Sequence, residues 1–385
     1  MLPVGTTSRM APSATLTWLL LLPAPSYQES HILSKCMKTH LRALESRSEE
    51  HHLIREEDDI VKPLDVFSVL EEVAGECVKT PNLPDSYLLS CGTLQPADKS
   101  ILTDFNNGRL GNQLTSLASV VAMARLTGLQ PVITHRCYSA ITAIFEDLSL
   151  PVLEGTFCSA CSQLHFQRLL DPTPRAHGAA FRLPVAYANL LPLYAPLLPE
   201  IRSMLTFKSR FKDLAQERLK TAAKQSSLSS PVSYVGVHNR RGDYAQHIKG
   251  YGADLNGPDY FNGALQLMRK VLTNPVFVVV TDDPGWARKH ITGKDVFHLT
   301  EESRVEGVGV DLAVLAACNH TIITYGTFGL WGAMLSGGLT IMSTRASELR
   351  PLITQAGLNT FVFMEEGEDV SIYEEGARRV MERLT

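Results

Sequence analysis

Two arginines, a histidine and an aspartate crowd into one short stretch, His238-Asn239-Arg240-Arg241-Gly242-Asp243. Each guanidinium offers a planar fork of donors and keeps its charge at any physiological pH, which suits a diphosphate. A lone Arg-Asp pair would read as a surface ion pair closed on itself. This cluster differs because it follows Val232-Ser233-Tyr234-Val235-Gly236-Val237, an apolar run with β-branched residues that predicts a buried strand. In an open α/β sheet, ligands bind just beyond the carboxyl ends of strands.

Three other places offer partners for that cluster. In Phe105-Asn106-Asn107-Gly108-Arg109-Leu110-Gly111-Asn112-Gln113-Leu114, two glycines allow a tight turn and a close approach of backbone to ligand. Leu110, Leu114, Leu117, Val121 and Ala124 then recur at helical spacing, Gly128 closes the helix, and Pro131-Val132-Ile133-Thr134 reads as a strand. Such a loop opening a helix suits an anion or a sugar, although a glycine pair at this spacing is also a common connector.

Val276-Phe277-Val278-Val279-Val280 reads as a central parallel strand that ends in Thr281-Asp282-Asp283-Pro284. Asp282 can accept hydrogen bonds from a guanine edge or a ribose hydroxyl. Asp283, just before Pro284, reads as a helix N-cap. Adjacent aspartates on a strand point to opposite faces, so they make no clear clamp for a cation. Thr321-Ile322-Ile323-Thr324 is a third strand, and Tyr325-Gly326-Thr327-Phe328-Gly329 a small-residue turn into a helix carrying Trp331 and Leu335. Gly326, Thr327 and Phe328 would present backbone N–H groups and a hydroxyl to a phosphate. They equally suit an ordinary Thr-capped helix, and both readings can hold together.

The elements that must position these groups alternate. Helices are expected over Tyr260 to Leu272, Asp311 to Ala317 and Thr327 to Leu335, each leading into a strand, the last being Leu339-Thr340-Ile341-Met342. Phe211, Leu214 and Leu219 fit an earlier helix, and Ser226-Ser227-Leu228-Ser229-Ser230-Pro231 a linker. The pattern argues a parallel, doubly wound α/β sheet. With 385 residues, 44% hydrophobic and 20% charged, the chain is long enough for two such domains. Its net charge of -4 gives no basic footprint for nucleic acid.

GRLGNQL, VGVHNRRGDY, VVVTDD and YGTFGLWGAML, in that order, resemble the inverting galactoside α1,2-fucosyltransferase family from about Leu102 to the C-terminus. HxRRxD is also similar to a motif of α1,6- and protein O-fucosyltransferases, while GTFGLWGAML together with HxRRGDY favours the α1,2 branch. Asn239 departs from the pattern, since relatives usually carry an apolar residue there. On an extended segment its side chain points away from the ligand. The resemblance implies an α/β, GT-B-like fold: two Rossmann-like doubly wound domains facing a cleft, the donor in the second and the acceptor against the first.

The boundaries expected are a signal-anchor or signal-like segment at 1–28, a polar stem at 29–95, an acceptor-side α/β domain at 96–230 and a GDP-fucose-binding domain at 231–385. Acceptor-facing loops are expected over Pro172 to Pro199.

On this resemblance the substrates are GDP-β-L-fucose and a galactose-terminated glycan. The galactose 2-hydroxyl attacks fucose C1 opposite the leaving GDP. Arg240 takes the β-phosphate, supported by Arg241 and His238. Gly326, Thr327 and Phe328 hold the pyrophosphate, Asp282 reads guanine, and Arg109 and Asn112 close over the fucose. Asp243 orients Arg240 or the loop in preference to taking the proton. Two arginines can neutralise the leaving charge in place of a metal, so no metal or other cofactor is expected. Two alternatives stay open: a fucosyltransferase with another acceptor (core chitobiose or a protein hydroxyl), and a non-catalytic glycan- or nucleotide-binding relative.

The remaining features say less. Leu16-Thr17-Trp18-Leu19-Leu20-Leu21-Leu22 is shorter than the ~20 apolar residues a spanning helix needs. The resemblance implies a Golgi membrane protein with a single N-terminal anchor and a luminal catalytic domain, and a cleaved signal with secretion is the second reading. The seven cysteines are an odd number, so at least one thiol is unpaired or intermolecular. His135, Cys137, Cys158, Cys161 and His165 cluster in sequence, and Cys158-x-x-Cys161 has zinc-ligand spacing, but in an oxidising lumen a disulfide or buried thiols fit better. Cys318 reads as buried packing. Asn319-His320-Thr321 is a sequon whose place at a strand start near the core argues against glycosylation.

Overall fold

The computed structural model of the chain describes residues 101–103, 108–127, 130–148, 150–153, 180–182, 190–250, 254–299, 307–345 and 349–384. The signal-like segment, the stem, Phe105 to Asn107, Gly128, Cys158, Cys161 and His165 lie outside them. Among the described residues no helix is long and apolar enough to cross a membrane.

By internal contacts the chain divides into two compact units. Of the described residues, the first gathers 101–103, 118–127, 130–134, 151–153 and 180–182; the second gathers 108–117, 135–148, 150 and those from 190 onward. The glycine loop and the start of its helix therefore count with the HxRRxD segment, although about 120 residues separate them in sequence.

In chain order the first elements are β1 (Ile101–Thr103), α1 (Leu110–Thr127), β2 (Gln130–Thr134), α2 (His135–Thr142), β3 (Val152–Leu153) and β4 (Ala180–Arg182). The first unit contains a wholly parallel sheet in the order β3-β2-β1-β4. Next come the short helices α3 (Leu191–Tyr194) and α4 (Leu198–Met204), joined by a 3-10 turn, and α5 (Ser209–Ser226). The acceptor-facing loops expected over Pro172 to Pro199 are corrected in two places: Ala180–Arg182 is strand β4, paired with β1, and the last third is helical. From Leu191 onward that segment is helical and buries Leu191, Tyr194, Leu197 and Leu198, because its leucines fall at helical spacing and each short helix opens on a proline. In α5, Phe211, Ala215, Leu219 and Ala222 form the buried stripe.

The rest of the second unit runs β5 (Ser233–Asn239), α6 (Tyr244–Gly250), α7 (Pro258–Val271), β6 (Pro275–Thr281), α8 (Pro284–His290), β7 (Val296–His298), α9 (Val308–Ala317), β8 (His320–Ile323), α10 (Thr327–Ser336), β9 (Thr340–Ser343), α11 (Arg350–Gln355), β10 (Phe361–Met364) and α12 (Ser371–Leu384). Its six strands are all parallel, in the order β10-β9-β8-β5-β6-β7. Counted from β5 this is 3-2-1-4-5-6 reversed, the doubly wound order. Winding proceeds outward through β6 and β7, returns to the far side of β5, and proceeds through β8, β9 and β10. The switch point therefore falls between β5 and β8.

β6 is apolar on both faces, as a strand of a sheet covered by helices on each side requires. Val276 through Val280 are at most 3% exposed. On one face Val235, Val237, Phe277 and Val279 meet Tyr260, Phe261, Ala264 and Met268 of α7. Asn239 continues that face at 1% exposure. Cys318 is buried after α9, and its thiol is pushed upward in pKa by burial, so it is inert packing. Cys137 is likewise a buried thiol, 3.6 Å from the Gln113 carbonyl. Asn319, immediately before β8, is exposed, and its Oδ1 accepts from Tyr234 N at 2.9 Å.

Candidate active site at the strand switch

β5 ends at Asn239, so Arg240 and Arg241 leave the sheet at its carboxyl edge, beside the switch point. The backbone N–H of Arg240 lies 3.4 Å from Thr324 Oγ1, just past the end of β8, and donates to it. Beyond Thr324 the chain turns at Gly326, whose φ of 87° is a conformation that side chains rarely tolerate, and enters α10 at Thr327. α10 thus begins at the same carboxyl edge of the sheet where the arginines emerge.

The glycine loop completes this part of the site. A Cβ on Gly111 would come within 2.6 Å of Phe328 N and 2.7 Å of Thr327 Oγ1, so only glycine allows this approach. Thr327 Oγ1 donates to Asn112 Oδ1 at 2.7 Å. Behind the contact, the fully buried Trp331 donates from Nε1 to Thr115 Oγ1 at 2.9 Å, and Thr115 donates to Gly111 O at 3.0 Å. Tyr194 stacks on Trp331 with ring centroids 6.0 Å apart. Two segments far apart in sequence are thus pinned through polar contacts whose burial makes them costly to break.

The charged groups alternate in sign. Arg240 donates to Asp282 Oδ2 at 2.7 Å and, through its other terminal nitrogen, to Asp243. Arg109 donates to the second oxygen of Asp243. Asp243 therefore bridges two guanidiniums, and 60% of its side chain is exposed, as is 71% of that of Arg109. Arg240 is 19% exposed and also lies 5.9 Å above the Tyr244 ring. Asp282 uses its other oxygen to accept from Arg241 N at 2.8 Å, which shapes the loop itself.

Arg241 is held apart from this chain. It donates to Asn256 O at 2.9 Å, lies 3.8 Å from Asp283, and its guanidinium sits 3.7 Å from the centre of the Trp286 ring. Asp283 Oδ1 accepts from Trp286 N at 3.0 Å, the N-cap role that its position before Pro284 predicts.

His238 lies one layer below. It is 5% exposed and packs against Phe328, with ring centroids 5.5 Å apart. Burial, with the charge of Arg240 adding to it, pushes its pKa down to about 3. The imidazole is neutral, and it supports the start of α10 without adding positive charge. Tyr325 is 1% exposed, stacks on Tyr244 at 4.9 Å, and is pushed up to about 12, chiefly by burial, so it stays protonated.

All ten residues singled out in the sequence belong to the second unit, and eight are tied by the contacts above: Arg109, Asn112, His238, Arg240, Asp243, Asp282, Thr327 and Phe328. Gly326 forms the turn, and Arg241 is anchored on its own partners. Sequence reasoning missed Thr115, Tyr244, Asn256 and Trp286. Tyr244 and Trp286 carried a usable signal, an aromatic within a few residues of a charged strand end. Asn256 carried none. Among the described residues no group of three or more His, Cys, Asp or Glu is placed to hold a metal ion.

This geometry belongs to a chain with clear relatives. The sequence profile of Glycosyl transferase family 11 matches residues 86–348. Galactoside 2-alpha-L-fucosyltransferase Sec1 of Mus musculus is 35% identical over 241 residues, 61% of this chain and 64% of that protein. Galactoside alpha-(1,2)-fucosyltransferase 2 of Rattus norvegicus is 34% identical, over 66% of its own length, so the chain spans just under two thirds of these two relatives. The Mus musculus protein of that name is 32% identical over 281 residues, 70% of this chain and 77% of its own. Among solved structures, a NodZ alpha-1,6-fucosyltransferase soaked with GDP-fucose is similar at a TM-score of 0.39 and 18% identity, over 62% of this chain and 93% of its own. Neither function nor fold detail transfers at that level. The profile match is different, since it covers more than half of the chain and takes in the glycine loop, the arginine pair, Asp282 and the turn into α10; the chain belongs to glycosyl transferase family 11.

Proposed function

We propose that the chain transfers L-fucose from GDP-β-L-fucose to the 2-hydroxyl of a terminal galactose, forming an α1,2 linkage with inversion. The observation that carries this reading is the placement of Arg240 at the switch point, held by Asp282 and Asp243 beside Arg109 and the start of α10. An anionic leaving group needs fixed donors aimed where its charge grows, and those groups supply them. The names of the relatives, all galactoside fucosyltransferases, support the donor sugar and the acceptor.

In this reading the bond from fucose C1 to the β-phosphate oxygen breaks, and its electron pair leaves with GDP. The galactose O2–C1 bond forms on the opposite face, and the hydroxyl proton passes to solvent. Arg240 takes the β-phosphate, Arg241 strengthens the positive field, and backbone N–H groups of Gly326, Thr327 and Phe328 bind the pyrophosphate, joined by the Thr327 hydroxyl once the nucleotide draws its proton from Asn112. His238 supports that turn as a neutral ring. Arg109 and Asn112 close over the fucose. Asp243 orients Arg240 and Arg109. Each oxygen of Asp282 keeps a second lone pair, so holding the arginine loop and accepting from a guanine edge are compatible. Arginine charge takes the place of a divalent cation, and turnover in EDTA is the expected outcome. Golgi placement through an anchor within residues 1–28 belongs to the same proposal, and fusing that segment to a secreted reporter tests it.

The decisive experiment incubates the protein with GDP-fucose and a terminal β-galactoside in EDTA and reads the linkage by NMR. Fucose on O2 of galactose is expected. Transfer to any other hydroxyl would overturn the acceptor, and GDP binding without transfer would overturn the enzyme.

A further inference from the structure

Arg240 and Arg241 are adjacent, yet they are restrained by different means. Arg240 is gripped by two carboxylates. Arg241 has one weak carboxylate contact, Asp283 at 3.8 Å, where Asp283 is also committed to capping α8. Its strong contacts are of other kinds: a carbonyl, Asn256 O at 2.9 Å, and an aromatic face, the Trp286 indole at 3.7 Å. An arginine side chain has large rotamer freedom, and a flat ring against a flat guanidinium removes much of it while leaving donors free along the edge. A close carboxylate would instead offset part of the positive charge, as Asp243 and Asp282 do at Arg240.

Both restraints are themselves fixed. Trp286 stands in the first turn of α8, and Phe261 of α7 meets it edge-on at 5.7 Å. The segment bearing Asn256 is clamped by Arg345, which donates to Asp254 O and Leu255 O at 3.0 Å each, and by Glu366, which accepts from Gly257 N at 2.8 Å and pairs with Arg345 at 3.1 Å. The side chain of Arg241 is only 16% exposed, so this setting is largely desolvated, where cation–π contacts are strongest.

We infer that Trp286 is a positioning residue for donor binding, acting through Arg241: its indole face fixes the guanidinium plane so that an uncancelled positive charge meets the diphosphate. This rests on the nucleotide-diphosphate reading above. The test is a double-mutant cycle on the whole chain, with GDP affinity measured by calorimetry and folding followed by thermal melting. Trp286→Leu keeps apolar bulk against Phe261 and removes the π face. It should weaken GDP binding about tenfold, which is about 1.4 kcal/mol. It should raise the donor KM by the same factor and leave the acceptor KM unchanged. Trp286→Phe should recover most of the loss, to within about threefold of the unsubstituted protein. Arg241→Lys keeps the charge but loses the planar fork, and in that background Trp286→Leu should cost nothing further.

Equal losses in both backgrounds, or a lower melting temperature with unchanged GDP affinity, would show that Trp286 is packing alone and overturn the inference. If Trp286→Leu does not fold, Trp286→Phe takes its place in the cycle: a threefold loss seen only with Arg241 present supports the inference, and one seen in both backgrounds overturns it. No GDP binding by the unsubstituted protein is a separate outcome, which removes the reading of the site on which the inference rests.

Discussion

Two buried histidines stand at opposite ends of neighbouring strands in the six-stranded sheet. His320 opens β8 and His238 lies near the end of β5; the register pairs His320 with Val235 and His238 with Ile323. Both are less than a tenth exposed, and burial lowers both, to about 4 for His320 and about 3 for His238. Their surroundings differ. At the amino edge His320 Nδ1 accepts from Leu339 N at 3.1 Å, and the neighbouring Thr321 and Thr340 hydroxyls bond to each other at 2.9 Å. At the carboxyl edge His238 Nδ1 has no hydrogen-bond partner among the described residues, and within a few residues stand Arg240, Arg241 and Asp243. Polar groups at one end close the structure on itself. At the other end they are held in place with capacity to spare, which is what a site requires.

The largest effect should come from the carboxyl edge. Arg240→Ala removes the charge that Asp243 and Asp282 hold in place. It should lower kcat/KM by at least about a hundredfold, roughly 3 kcal/mol of transition-state binding, given what loss of one preorganised donor costs. Steady-state kinetics beside a melting curve would check it. Near-normal turnover in a folded variant would mean that the switch-point arginine is no more functional than the polar groups opposite.

Gly111→Ala comes next. Its new methyl would stand 2.6 Å from Phe328 N, a backbone atom that cannot swing aside. Overpacking of this kind costs about 1–3 kcal/mol. Because the clash is with the start of α10, donor affinity should fall together with the melting temperature. A drop in stability with unchanged GDP binding would confine the glycine loop to a packing role and narrow the site to the second sheet alone.

The histidines themselves provide a pH test. Each has a folded-state pKa below its unfolded value near 6.5, so between that value and about 4 the unfolded chain binds more protons than the native one. Stability therefore rises with pH across this window and is lost as pH falls from 6.5. The slope from each histidine is at most about 1.4 kcal/mol per pH unit. Urea melts at pH 7, 5.5 and 4.5 should show the decline, and a flat profile would mean that neither ring is held neutral. For the same reason His238 should put no limb near pH 6.5 into the donor kcat/KM profile. Such a limb, abolished in His238→Asn, would mean that the ring at the carboxyl edge titrates as an ordinary exposed histidine.

What could be read from the sequence follows the same division. The strands were visible because both faces of β5, β6 and β8 are covered, so each carries a run of apolar or β-branched residues, and β5 and β6 end abruptly in charge. Asp283 declared itself by standing before a proline. The winding order was not legible, because nothing in β8 says that it returns to the far side of β5. Nor did the sequence show that Asn112 bonds Thr327, or that Arg109 shares Asp243 with Arg240, since those pairs span more than a hundred residues and depend on that order. The two roles of adjacent arginines were equally hidden. The resemblance ranks Arg240 above Arg241, but the different restraints on the two, carboxylates on one and Trp286 with Asn256 on the other, came only from the structure.

The smallest effect should come from the amino edge. Asn319→Ala removes the acceptor for Tyr234 N at the start of β5. Asn319 is exposed, so water can take over the freed N–H, and the cost should be about 0.5–1 kcal/mol of stability. β5 runs straight from Tyr234 to Arg240, so any looseness introduced at one end has a direct covalent path to the other. The strand's interior opposes this, because Val235 and Val237 are fully buried and β5 is paired on both sides along this length. A packed, doubly hydrogen-bonded strand does not transmit fraying over several residues, since each residue is held by its own neighbours. Asn319→Ala should therefore lower the melting temperature slightly while kcat and donor KM stay within about twofold. A tenfold loss of kcat/KM at unchanged fold would break the contrast between the two edges, by showing that the amino end of β5 sets the position of Arg240.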